Sequence, residues 1–169
     1  LCLSNSGVIQ NKLGNYREAL NLYQRSLEVS RLLNNKVQIS NCLINIGTNY
    51  ANLGQHERGI DFVQQGLAMK MELGDERAIS NCYIHLAEIN SMMEAYDQAI
   101  ELFNKAIPVK ESLEDQEGLV RCYLGLGSVL LHKGQRREAH LMTDRGMEIA
   151  DTIHSIEHLA VGSEIMKEI

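Results

Sequence analysis

Apolar residues along this chain return at the three-and-four spacing of one helix face. In one stretch Ile39, Leu43, Ile46 and Tyr50 form such a stripe. It is broken by Leu53-Gly54-Gln55, where Gly54 suits the left-handed position that ends helices. A second stripe follows, Ile60, Val63, Leu67 and Met71, and stops at Leu73-Gly74-Asp75. Similar breaks stand at Leu13-Gly14-Asn15, Asn34-Asn35, Glu114-Asp115 and Lys133-Gly134-Gln135. The pattern predicts helices over about 1–13, 16–33, 36–53, 56–73, 76–93, 96–113, 116–133, 136–152 and 155–169. Proline scarcity and the lack of long β-branched runs also favour helix.

The helices come in pairs, and the pairs repeat. Cys2, Cys42, Cys82 and Cys122 stand 40 residues apart. Gly7, Gly47, Ala87 and Gly127 keep the same step, as do the small residues Ala19, Gly59, Ala99 and Ala139. Leu27, Leu67, Ile107 and Met147 are apolar in register, and so are Leu33, Leu73, Leu113 and Ile153. No gap is needed to align the units. Small residues at Gly47, Gly59 and Gly66 let paired helices approach closely. One pair cannot hide its apolar face alone, so the pairs must stack.

Gly14-Asn15-Tyr16, Ala19-Leu20, Tyr23 and Leu27 in the first unit resemble the tetratricopeptide repeat family. So do Tyr96, Ala99-Ile100, Phe103 and Ala106-Ile107-Pro108 in the third, and Leu43, Ile46-Gly47 and Tyr50 in the second. The family unit is about 34 residues; the step here is longer. The fourth unit departs most, with Arg136 in place of the aromatic and Thr143 where Tyr23 and Phe103 stand. The resemblance implies an all-α fold: a right-handed superhelical solenoid of stacked antiparallel helix pairs with a concave groove lined by the first helix of each pair. The units fall at about 1–35, 36–75, 76–115 and 116–154, with residues 155–169 as a capping or half-repeat helix. By register about five residues of the first helix precede Leu1, and the chain reads as a fragment of a larger protein.

The resemblance also implies binding of a protein or peptide in that groove, and the register says which residues line it. Opposite the core stripe of the second unit lie Asn41, Asn45, Thr48 and Asn52. Their equivalents are Asn81, His85, Glu88 and Met92 in the third unit, and Arg121, Gly125, Ser128 and His132 in the fourth. In the first unit they are Leu1, Asn5, Val8 and Lys12. Asparagine is a poor helix former, so Asn5, Asn41, Asn45 and Asn81 within helices invite an explanation. An amide donates and accepts, and a row of amides can bond an extended peptide backbone. A solvated polar face without ligand is the competing reading. Lys12, Asn45 and Arg121 do not form the arrangement that clamps chaperone C-terminal tails, so that ligand is not expected.

Composition narrows the function further. The 169 residues are 44% hydrophobic and 22% charged, with one proline, as in an ordinary helical globular domain. The formal charge is −6 with both signs interleaved, which gives no basic stripe for nucleic acid. No apolar run approaches the roughly 18–20 residues of a membrane span. The cysteines come singly, without zinc spacing, and read as small buried residues. Four free thiols favour a reducing compartment such as the cytoplasm, with a periplasmic sensor segment as the alternative. His154 and His158, with His140 near, read as surface histidines rather than a metal site. Gly125-Leu126-Gly127 reads as close helix packing, since no strand precedes it. No nucleophile elbow or phosphate loop occurs, so neither enzyme activity nor a cofactor is expected. The sequence reads as a protein- or peptide-binding scaffold. The alternative is a sensor or regulatory segment of a bacterial histidine kinase or transcription regulator, to whose junctions Leu73-Gly74-Asp75 is similar. Open apolar ends offer a route to homodimers.

Overall fold

Each stripe becomes a helix. A computed structural model describes residues 2–169; the groove position assigned to Leu1 and the packing assigned to the Cys2 side chain lie outside what it describes. Among the described residues there are nine helices and no strand. They are α1 (Cys2–Lys12), α2 (Tyr16–Leu32), α3 (Lys36–Asn52), α4 (His56–Leu73), α5 (Glu76–Met92), α6 (Tyr96–Ser112), α7 (Gln116–His132), α8 (Arg136–Thr152) and α9 (Ile156–Glu168). Helices α3, α5, α7 and α9 begin at 36, 76, 116 and 156, so the 40-residue step of the sequence is also the step of the structure.

The chain divides into two compact units, Leu1–His85 and Leu86–Ile169, with the division inside α5. In the first unit α1 packs on α2, α2 on α3 and α3 on α4. Ala19, Tyr23 and Leu27 of α2 meet Cys42, Leu43, Ile46 and Tyr50 of α3 in one core cluster. In the second unit α7 packs on α6, α8 and α9, and α8 also packs on α9. Val120, Leu124 and Ala150 are buried there with Met147 and Leu159 against them. The architecture is a solenoid of stacked helix pairs, and the contact of α7 with α9 sets one first helix against the next.

Small residues set the spacing as the sequence predicts. A Cβ on Gly47 would stand 2.7 Å from the Gly59 carbonyl oxygen, so α3 and α4 touch backbone to backbone. The aromatic missing from the fourth unit is replaced by Thr143, fully buried, whose hydroxyl donates to the Ala139 carbonyl (2.8 Å). A Cβ on Gly127 would collide with that hydroxyl.

All eight turns use one backbone device. At each, the first or second residue past the helix takes a positive φ: Gly14, Asn34, Gly54, Gly74, Glu94, Glu114, Gly134 and His154. Its N–H donates to the carbonyl three residues back, and the next N–H donates five back, as in Asn15 to Gln10 (2.9 Å) and Ser155 to Ala150 (2.9 Å). This pair of bonds satisfies carbonyls that the helix end would orphan.

One predicted stripe is shifted. Met71 was assigned to the buried face of α4, yet it is 53% exposed, and Lys70 is buried at 3% exposure in its place. The buried face of α4 is Gly59, Val63, Gly66 and Lys70. The cause is an ion pair. Lys70 Nζ donates to Asp75 Oδ2 at 3.1 Å, while Asp75 Oδ1 accepts from the Ala78 backbone N–H at the start of α5 (3.1 Å). The next unit repeats the device. Lys110, 1% exposed, donates to Asp115 Oδ2 at 2.7 Å, and Asp115 Oδ1 caps α7 through the Gly118 N–H (3.0 Å). Gly118 is required because a Cβ there would stand 2.6 Å from Lys110 Cδ. A buried ammonium is tolerable when paired and hydrogen-bonded.

Candidate binding face of the first helices

The first helix of each pair carries its core residues on one side and the predicted groove residues on the other. Among the described residues, none of those groove residues is buried. On α1, Asn5 and Lys12 are exposed; on α3, Asn41, Asn45 and Thr48 are half-buried and Asn52 is exposed. Asn81 and His85 are half-buried on the part of α5 that belongs to the first unit. In the second unit Glu88, Arg121 and Ser128 are half-buried and His132 is exposed.

In the first unit the stripe is a line of amides held by helix geometry. Thr48 Oγ1 donates to the Asn45 carbonyl at 3.0 Å, and Asn49 Nδ2 donates to the same carbonyl at 2.8 Å. Those bonds leave the Asn45 side chain to the surface. Nearby, Arg58 lies 4.1 Å over the Tyr50 ring and donates to its hydroxyl (2.9 Å).

In the second unit the stripe borders a cavity of about 500 Å³. Glu88, Arg121, Ser128 and His132 line it, so the structure brings these four predicted residues together. Arg121 Nη2 donates to Glu88 Oε1 at 2.7 Å, tying α7 to α5. His132 stacks on Tyr96 with centroids 5.8 Å apart. The floor is apolar, made by Leu124, Leu131, Val161 and Ile165. Gly125 also lines it, and its missing side chain lets the Phe103 ring pack against α7, since a Cβ there would strike that ring. The remaining predicted residues belong to α1, α3 and the first part of α5, in the other unit.

The sequence reading missed the share of α9. Val161, Ile165 and Glu168 line the cavity, as do His158 and Glu164. The signal was available: these positions are Arg121, Gly125 and Ser128 advanced by one unit of 40 residues. Residues 155–169 were read for their core register and their role at the end of the array, and the groove register was not carried into them.

The thiols lie in the core instead. Cys42, Cys82 and Cys122 are buried free thiols. Burial pushes the Cys82 and Cys122 thiols up to about 12, so they are protonated at neutral pH. Burial also raises the Tyr123 phenol, which donates to Glu111 at 3.3 Å. His158 Nδ1 pairs with Ser155 Oγ (2.7 Å) and His140 with Asp144 (2.8 Å). Among the described residues no group of three or more His, Cys, Asp or Glu could hold a metal, and no helix is long and apolar enough to cross a membrane.

A family model, tetratricopeptide repeat, matches residues 1–72 and 79–152. No curated protein matches the chain significantly in sequence. In fold the chain is similar to a Rap protein complexed with competence and sporulation factor (TM-score 0.89, 17% identity, covering 95% of this chain and 45% of that one). It is similar to aspartyl phosphate phosphatase F from Bacillus subtilis (TM-score 0.86, 16% identity, 96% of this chain, 43% of that one). It is also similar to the Rap conjugation gene regulator of the plasmid pLS20 in complex with a Phr peptide (TM-score 0.83, 18% identity, 95% of this chain, 44% of that one). The chain thus spans less than half the length of these three proteins. At such identities the likeness is one of fold.

Proposed function

Because the chain belongs to the tetratricopeptide repeat family, we propose that it is a non-catalytic scaffold that holds a protein or peptide on the face of its first helices. The observation that carries this reading is the cavity of the second unit. It opens on the register that the sequence assigns to the groove, with Glu88, Arg121, Ser128 and His132 around an apolar floor. Peptide sites need that combination: apolar contact for affinity and a few polar groups for direction. In the first unit Asn41, Asn45 and Asn81 would bond a peptide backbone, each amide offering donor and acceptor. A protein of similar fold solved with a Phr peptide supports the same use.

A second reading places this face in a sensor or regulatory segment of a larger signalling protein. It is favoured by the likeness to a conjugation gene regulator. A kinase or DNA-binding domain in the same polypeptide would select it.

The test is a double substitution, Asn45→Ala with His85→Ala, measured on a bound partner peptide. Affinity should fall about tenfold, the loss of a few polar contacts, while the circular dichroism of the helices stays unchanged. Binding that survives both substitutions removes these residues from the groove.

A further inference from the structure

The cavity of the second unit says more about its occupant than the amide stripe does. We infer that it takes an apolar side chain of a cationic peptide, one with lysine or arginine flanking the anchor. This rests on the groove reading above and adds the chemistry of the ligand.

The anchor follows from the floor. Leu124 is buried, but Leu131 and Ile165 are half-buried, and Val161 is 46% exposed at the mouth. Covering such a floor removes apolar surface from water, which is the main source of affinity in a site of this size. The space, about 500 Å³ in all, admits a large apolar side chain together with its flanking residues.

The charge follows from how each ion at the rim is held. Arg121 is the cation on the floor's border, and it already donates to Glu88 at 2.7 Å with both side chains about one-third exposed. An anionic ligand would have to compete with Glu88 for Arg121, whose guanidinium already donates to that carboxylate. A cationic ligand has only the exposed Lys167 to displace. Glu164 and Glu168, one helical turn apart on α9, both face the cavity. Glu164 is met only by Lys167, at 2.6 Å, in a pair exposed on both sides and therefore easily exchanged. Glu168 has no ion-pair partner among the described residues. The formal charge of −6 draws cationic partners from a distance as well.

The experiment uses the whole 169-residue chain and a random peptide library displayed on phage. The expected consensus is one large apolar residue with lysine or arginine beside it. A synthetic peptide of that consensus should shift the methyl NMR signals of Leu124, Val161 and Ile165. Its affinity should fall about tenfold in the Glu164→Gln/Glu168→Gln variant, the contribution of two exposed ion pairs. Those two side chains lie at the surface, so the variant folds. Val161→Lys, also at the surface, should abolish binding by filling the mouth with like charge. An acidic consensus, or a peptide bound equally well by the glutamine variant, overturns the inference. Binding that shifts Asn45 and His85 but none of the three methyls also overturns it, and leaves the groove reading standing. A library that enriches nothing on the first helices brings down both.

Discussion

The turn between α6 and α7 and the turn between α8 and α9 have the same backbone and different chemistry. Both place a non-glycine residue at positive φ, Glu114 in one and His154 in the other. Both close with paired bonds of equal reach, Asp115 to Lys110 and Ser155 to Ala150. At the first, a buried lysine meets an aspartate that also caps the next helix. At the second, the buried residue is alanine, and Ser155 makes no cap bond but turns to His158. The turn after Lys70 repeats the first case, with Asp75 meeting the lysine. The fold therefore fixes the turn, while a buried lysine five positions before the cap goes with an aspartate there.

The sharpest way to break the comparison is Asp115→Asn. The amide keeps the cap to Gly118 but removes the charge that meets Lys110. A buried ammonium then loses the carboxylate that meets it, and stability should fall by about 3 kcal/mol in urea unfolding. Adding Lys110→Met should recover most of that loss, because an apolar side chain of similar length needs no partner. If the single variant is as stable as the parent, the pairing is incidental.

Acid should weaken the turn at Asp75. The Ala78 N–H bond, and then Lys70, hold the Asp75 carboxyl below its ordinary 3.8. Its contribution to stability is thus complete above that value and is lost as pH falls through the lower folded one. A pH series of unfolding midpoints on the parent and on Asp75→Asn should converge below about pH 4. The effect is smaller than at Asp115, since Asp75 is 41% exposed and Asp115 17%.

Smaller still is the gain from relieving φ. His154→Gly and Glu114→Gly should each stabilise by about 1 kcal/mol, the left-handed cost of an L side chain. Thermal midpoints read this directly. The same change at Asn34 should give less, because asparagine tolerates that region. Smallest is Ser155→Asp, which gives α9 the cap it lacks. It should add roughly 0.5 kcal/mol.

Most of the fold is legible in the sequence because its signals are periodic. Predicted helix ends stand within a residue of the observed ones, since one turn device recurs at every break. The glycines at 14, 54, 74 and 134 announce it. Glu94 and His154 do not, and their positive φ follows only from the repeat. Lys70 was unreadable for another reason. A lysine is expected outside, and its burial depends on Asp75, a partner whose meaning appears only when α4 and α5 are in place. Of the site, the side of each helix was readable from the register. Which residues would enclose space was not, because the cavity depends on Val161 and Ile165 of α9.

The three sealed sulfhydryls have a practical consequence. Cys42, Cys82 and Cys122 sit at equivalent depth in successive repeats, each with no exposed surface. A maleimide in solution can reach each one only when its own hairpin breathes. The second, third and fourth repeats thus each carry a clock, and peptide mass mapping of the alkylated sulfurs would read their opening rates in turn, with no engineered label.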